Sequence, residues 1–148
     1  MNHNKRGFSL IETMVAMTIL ATISVAIVSL VLSVISLSNF AKLKNQAIGL
    51  SEEGIEQARN YFQNNGFSQL NSLANNKCYS DGTFQTQINP CPNDPPNCLQ
   101  GVVTSNPLFY RSLFLSQSSG SVKVRSIVTW TDRGACRYTE VDTYFFSY

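Results

Sequence analysis

The sequence predicts an α+β chain, with one long N-terminal helix packed on a small antiparallel sheet. Three observations carry this expectation. Glu12 is the last charged residue before Lys42, which leaves residues 13–41, 29 in all, without a charge. A one-sided apolar pattern then continues from Phe40 to Phe62. Beyond residue 108, three segments rich in β-branched and aromatic residues alternate with turn sequences. At 148 residues the length suits one small domain plus an appendage.

Only 14% of the residues are charged, against roughly 25% in an average soluble domain, and the deficit sits in the first forty residues. An apolar run above about 18 residues reads as membrane-spanning, which argues against a freely soluble cytosolic protein. The net charge is +2, and Lys5 and Arg6 supply all of it; from Phe8 onward nine basic residues face nine acidic ones. Phosphate binding needs clustered Lys and Arg, so nucleic acid is not an expected partner. His3 is the only histidine, which removes His-dependent acid–base, nucleophilic and metal chemistry from the body of the chain.

The N-terminus admits three readings: a cleaved secretory signal, a plain membrane anchor, and a processed leader followed by an apolar helix. A secretory signal has about 7–15 apolar residues and a small-residue cleavage site; this run is longer and no A-x-A site stands at its end. A plain anchor fits the length, with Lys5 and Arg6 on the cytoplasmic side, although Lys42 and Lys44 flank the far end with a similar count. Glu12 decides between them. A carboxylate within an apolar helix costs about 2.5–3.5 kcal/mol on the translocon scale, and such residues carry function by default.

The run Arg6-Gly7-Phe8-Ser9-Leu10-Ile11-Glu12, continued by Thr13-Met14-Val15-Ala16, resembles the class III leader and N-methylation motif of type IV pilins and pseudopilins. The resemblance implies a leader of residues 1–7, with its basic charge on Lys5 and Arg6. It implies that a membrane prepilin peptidase cuts after Gly7 on the cytoplasmic side and methylates the new amine of Phe8. It also places the family's glutamate, the fifth mature residue, at Glu12. Physics gives that glutamate a role in assembly register. The new α-amino group is a cation at the end of an apolar helix, a carboxylate on a neighbouring subunit can pair with it, and an unpaired buried charge is heavily penalised.

No proline or glycine occurs between Phe8 and Ile48, so an unbroken helix is expected. Residues 8–40 form its membrane or filament-core half and residues 41–63 its second half. In that second half Leu43, Ala47, Leu50, Gly54, Ala58 and Tyr61, flanked by Ile55 and Phe62, continue the stripe from Phe40. Lys44, Asn45, Glu52, Glu53, Glu56 and Arg59 lie opposite, and Glu56 and Arg59 are spaced to pair. Asn64-Asn65-Gly66 is a stop signal. Gly54 is costly inside a helix and marks close helix–sheet packing or a bend. Met14-Val15-Ala16 and residues 50–60, Leu-Ser-Glu-Glu-Gly-Ile-Glu-Gln-Ala-Arg-Asn, resemble minor pilins of the type IV pilus modification family.

Residues 64–107 are rich in Asn, Ser, Gln and Pro and read as an irregular loop. Cys78, Cys91, Cys98 and Cys136 are even in number on the exported side, so two disulfides are expected. Four cysteines allow three pairings, of which Cys78–Cys91 with Cys98–Cys136 is preferred. A four-cysteine zinc site lacks C-x-x-C spacing. Asp81 and Asp94 lack EF-hand spacing and read as turn residues. No metal or cofactor is expected.

Residues 108–148 read as sheet, with strands over 109–115, 121–131 and 137–146 separated by Gln117-Ser118-Ser119-Gly120 and Asp132-Arg133-Gly134-Ala135. A three-strand meander packed on the helix stripe, stapled by disulfides, resembles the pilin fold. Trp130 is expected at the helix–sheet contact or capping an edge.

The expected function is therefore that of a minor pilin or pseudopilin, a structural subunit and not an enzyme. Its partners would be the prepilin peptidase and N-methyltransferase, other pilins or pseudopilins, an inner-membrane assembly platform and membrane lipid, with no small-molecule substrate evident. It would sit single-pass in the inner membrane, its head at residues 41–148 outside the cytoplasm, before joining a filament at the cell surface. Two alternatives stand beside this reading: a pseudopilin of a type II secretion or competence system, and a membrane-anchored extracytoplasmic binding or adhesion module. The last predicts an exposed basic patch drawn from Arg111, Lys123, Arg125, Arg133 and Arg137, although Asp132, Glu140 and Asp142 lie among them.

Overall fold

A computed structural model describes residues 9–79, 82, 84–85, 87–88, 102–104, 107–118 and 120–147. It is an α+β structure: one long N-terminal helix, then an antiparallel sheet. The helix α1 (Leu10–Leu73) has 64 residues. Its start is closed by the Ser9 carbonyl, which accepts from the amides of Glu12 (2.9 Å) and Thr13 (3.2 Å). The chain divides into two compact units, Met1–Ala41 and Lys42–Tyr148.

In the second unit the helix is interrupted at Gly66, whose φ of 77° and ψ of 172° are non-helical. The break falls on the Asn64-Asn65-Gly66 stop signal, and the Asn65 amide donates to the Tyr61 carbonyl at 3.0 Å. The expected end near Gln63 needs correction, however, because helical turns resume and run to Leu73. Leu70 supplies the reason: it is fully buried in the core, with Phe67 and Leu73 packed against the same cluster.

The sheet contains β1 (Asn75–Tyr79), β2 (Gln87–Ile88), β3 (Val102–Val103), β4 (Phe109–Ser118), β5 (Ser121–Asp132) and β6 (Ala135–Phe146). Its order is β2-β1-β4-β5-β6, with β3 also paired to β4, and every pairing is antiparallel. The expected meander is β4-β5-β6. Arg133 (φ 52°) and Gly134 (φ 77°) make the tight turn between Asp132 and Ala135, as a two-residue hairpin loop with two positive φ values requires. Residues 64–107, expected to be irregular, hold the last turns of α1 and three strands. Of these, β1 pairs with β4 from Asn75↔Ser116 to Tyr79↔Leu113. Its Asn-Asn-Lys start has little intrinsic strand preference, so the pairing with β4 imposes the conformation.

One face of the sheet packs on the helix. Leu113, Leu115, Val122, Val124 and Phe145 form a buried cluster with Ile55, Ala58, Leu70 and Ala74. A fully buried side chain of this size contributes about 1.5–3 kcal/mol. Tyr79 and Phe84 close one end of the cluster: the Phe84 ring lies 4.9 Å from Tyr61 and 5.3 Å from Tyr79, edge to face in both cases. The Tyr79 hydroxyl donates to the Leu73 carbonyl at 3.1 Å. Trp130 is buried beside Phe109, at 6.0 Å between ring centroids.

Candidate functional site

The segment with the clearest functional character is the first unit's helix. Eighteen-residue windows within α1 reach a mean hydropathy of 2.6 with no residue buried. It is long and apolar enough to cross a membrane. Leu10, Met17, Leu20, Val25, Leu30 and Leu37 are each more than 60% exposed, so this surface is made for lipid or for other helices.

The six hydroxyls from Thr13 to Ser33 are dealt with internally. The hydroxyls of Thr13, Thr18 and Thr22 donate to the carbonyls three residues back, and those of Ser24, Ser29 and Ser33 to the carbonyls four back, all at 2.8–2.9 Å. A hydroxyl bonded this way needs no water, which is the condition for a helix in an apolar medium. Glu12 is different. It stands exposed in the first turn, where a carboxylate complements the positive end of the helix dipole, and the next charge along the chain is Lys42. Gly7, Phe8, Lys5 and Arg6 lie outside the described residues.

In the second unit the helix meets the sheet through backbone proximity. Gly54 is buried, and a Cβ on it would stand 2.5 Å from Ser126 Oγ and 3.0 Å from Leu113 Cδ2. Of the two expectations for Gly54, close packing is the one realised. One turn earlier, the buried Ser51 hydroxyl donates to the Ser126 carbonyl at 2.8 Å.

Arg111 needs correction as a member of a surface basic patch. It is buried on the helix-facing side, donating to the Leu50 carbonyl (3.2 Å) and to Gln57 Oε1 (3.1 Å), and it pairs with Glu53 at 3.3 Å. Gln57 in turn donates to Glu53 at 3.0 Å and accepts from the Gly82 amide at 3.1 Å. Ser51 and this Arg111 network were not legible as a site; the only local signal was Glu53 and Gln57 at i, i+4 on the helix.

Lys123 and Arg125 lie on the opposite face of the sheet, among acids. Lys123 pairs with Asp142 at 2.6 Å, and Arg125 reaches Asp142 at 3.3 Å and Glu140 at 3.7 Å. The hydrogen bond that Lys123 donates to Asp142 is the main cause that raises the Lys123 pKa. Arg133 and Arg137 are exposed at the β5–β6 hairpin. The result is a mixed-charge sheet face. Glu56 and Arg59 pair on the exposed side of the helix at 2.7 Å, as their spacing predicts.

Cys78 and Cys136 are each half of a disulfide. Cys91 and Cys98, like Asp81 and Asp94, lie outside the described residues. Cys78 is aligned with Phe114, Phe114 with Arg125, and Arg125 with Asp142, so three strand spacings, about 14 Å, separate Cys78 from β6. Cys136 is a further six residues along that strand. A disulfide needs Cα atoms within about 7 Å, so these two cysteines are not each other's partners. Among the described residues no three His, Cys, Asp or Glu side chains gather as a metal site.

Residues 2–28 match the family model of the prokaryotic N-terminal methylation motif. The match supports a class III leader of the type IV pilin kind, and it includes the first turns of the exposed apolar helix. No curated protein and no solved structure matches the chain.

Proposed function

We propose that the chain is a minor pilin or pseudopilin, a structural subunit cut by a prepilin peptidase after Gly7, N-methylated at Phe8 and assembled into, or initiating, a type IV pilus-like filament. The observation that carries this reading is the methylation motif over residues 2–28, which includes the start of an apolar helix whose hydroxyls from Thr13 to Ser33 are internally bonded. The motif favours a structural subunit over an enzyme.

Cleavage after Gly7 places a new α-amino group two residues before the first residue of α1. A cation at that end opposes the helix dipole, and in a low-dielectric core it is costly unless paired. Glu12 of a neighbouring subunit answers both penalties, and the distance between amine and carboxylate along the helix then sets the stagger between subunits. Before assembly the helix spans the inner membrane once, the basic leader in the cytoplasm and the head outside. Afterwards the same surface forms the filament core. Other pilins, the peptidase and an assembly platform are its partners. The minor-pilin-like segment at residues 50–60 favours a pilus over a secretion or competence system.

Intact-mass spectrometry of the protein from its native membrane tests this. Loss of residues 1–7 with one added methyl group on Phe8 is the expected result. An intact N-terminus, or a cut after the apolar run, overturns it in favour of an anchored or secreted binding domain.

A further inference from the structure

A recess of about 500 Å³ opens on the head beside the last turns of α1 before Gly66, and five of its seven lining residues carry carboxamides. Gln57, Asn60, Tyr61 and Asn64 are spaced i, i+3, i+4 and i+7, so the helix presents them on one face. Gly82 and Gln85 line the recess from the chain between β1 and β2.

The floor is built and fixed. The Gln57 amide is held at both ends, by the Gly82 amide and Arg111 at its oxygen and by Glu53 at its nitrogen. Gly82 approaches so closely that a Cβ on it would collide with Gln57 Cβ, so the absence of a side chain lets the chain after β1 close against the helix here. The Tyr61 ring is oriented by its edge-to-face contact with Phe84. Asn65 is committed to the Tyr61 carbonyl.

Three carboxamides are left over. Asn60, Asn64 and Gln85 are exposed and make no hydrogen bond among the described residues. Asparagine is a poorer helix former than alanine, so Asn60 and Asn64 do not serve the helix. Each carboxamide offers two N–H donors and an acceptor oxygen, which matches a pair of neighbouring hydroxyls acting as acceptor and donor. Among the described residues no charged side chain lines the recess. An anionic ligand would find no arginine or lysine to pair with, and a wholly apolar one would strip water from amides without replacing their bonds.

We infer that this recess binds a neutral saccharide, its hydroxyls on Asn60, Asn64 and Gln85 and the apolar face of a sugar ring toward Tyr61. The site belongs to the head alone and does not depend on whether the chain enters a filament.

The test uses the full-length chain in a detergent without a sugar headgroup. Saturation-transfer difference NMR is recorded with tetramers of α-linked glucose, β-linked glucose and N-acetylglucosamine, and with a galacturonate tetramer as the charged control. At least one neutral tetramer should receive saturation on its ring protons at about 1–10 mM. The double variant Asn60→Ala/Asn64→Ala should weaken that binding about tenfold or more while its thermal midpoint stays level or rises, because both positions are exposed and alanine favours helix. Gln85→Ala should weaken it independently of the helix. The inference is overturned if none of the neutral tetramers binds, if the galacturonate tetramer binds more tightly than all of them, or if the double variant binds as the parent does. None of these results touches leader processing, which the mass measurement reads separately.

Discussion

Gly54 and Ser126 meet at the contact between helix and sheet, and the space between them excludes a methyl group: a Cβ on Gly54 would stand 2.5 Å from Ser126 Oγ. Gly54→Ala improves intrinsic helix propensity by about 1 kcal/mol, yet overpacking a filled core costs about 1–3 kcal/mol. Leu113 and Arg111 close the other sides of the gap at 3.0 and 3.2 Å, so the hydroxyl cannot simply swing away. The expected outcome is net destabilisation of the head by up to about 2 kcal/mol, measured by denaturant unfolding. Ser126→Gly in the same chain should recover part of the loss. Additive effects of the two substitutions would show that the contact is not the cause.

Arg111 links β4 to two successive turns of α1 through Leu50, Glu53 and Gln57. Arg111→Met keeps most of the buried stem but leaves the Leu50 carbonyl and Gln57 oxygen short of a donor, a cost of about 1–3 kcal/mol. Glu53 is more than half exposed, so water takes over its share and the ion pair itself adds little. Arg111→Lys should recover less than half, because one ammonium cannot reach in the forked geometry that guanidinium provides. Thermal unfolding of the three proteins side by side gives the comparison. Full recovery by lysine would mean that charge alone matters at this position.

What the sequence made legible depended on how local the signal was. The helix over residues 13–41 follows from an uninterrupted uncharged run, and the β5–β6 hairpin from Arg133-Gly134. Glu12 is conspicuous because no other charge occurs for 29 residues after it. By contrast β1 exists because β4 offers an edge some 35 residues later, and nothing in Asn75-Asn76-Lys77 announces it. Arg111 reads as a surface charge until Gln57, 54 residues away, is placed beside it. Ser51, likewise, looks like a solvated helix position until its hydroxyl donates to the Ser126 carbonyl, 75 residues on. The turns after Gly66 did leave a trace: Phe67 and Leu70 are apolar at i, i+3, a spacing the Asn-Asn-Gly stop signal outweighed.

Alkaline pH should weaken the head. Burial pushes the Tyr79 phenol above its ordinary value, with Tyr61 adding a little. The Lys123 ammonium is raised chiefly by its bond to Asp142. Both groups are more readily protonated in the folded chain, so the stability they contribute is complete below about pH 10, their unfolded range, and is lost as pH rises through the folded values. Unfolding free energy measured between about pH 8 and pH 11 should therefore hold level and then fall. Tyr79→Phe should lower the plateau by about 1 kcal/mol, for the lost bond to Leu73, and make the fall shallower. A fall as steep as the parent's would exclude Tyr79 as a cause.

The sheet order makes a prediction about the cysteines. With Cys78 and Cys136 too far apart to bond, each must take Cys91 or Cys98, and Cys78–Cys91 with Cys98–Cys136 is the proposed set. Peptide mapping of the unreduced protein should give those two cross-linked fragments. A Cys78–Cys136 fragment would contradict the strand order itself, whereas Cys78–Cys98 would correct only the pairing. Removing one native bridge from a small exported domain costs about 2–5 kcal/mol, so Cys78→Ser should lower the unfolding midpoint by more than any surface substitution.

Glu12 gives the sharpest separation between a membrane anchor and an assembling subunit. As an anchor residue it is a liability: at the centre of a spanning helix a carboxylate costs about 2.5–3.5 kcal/mol on the translocon scale, and somewhat less near the end, where Glu12 lies. Glu12→Val should therefore leave insertion unchanged or improve it, with processing after Gly7 intact by mass. On the proposed reading as a filament subunit, the same substitution would remove the partner of the Phe8 amine and leave that cation unpaired in an apolar core. Recovery of the variant in sheared filaments, relative to its membrane pool, should fall about tenfold or more, since even 1.4 kcal/mol is a factor of ten. A cation introduced instead, Glu12→Lys, should be worse, because it sets like charges together. Normal incorporation of the valine variant would show that the stagger between subunits is set by packing of the exposed Leu, Ile and Val surface, with the carboxylate playing no part.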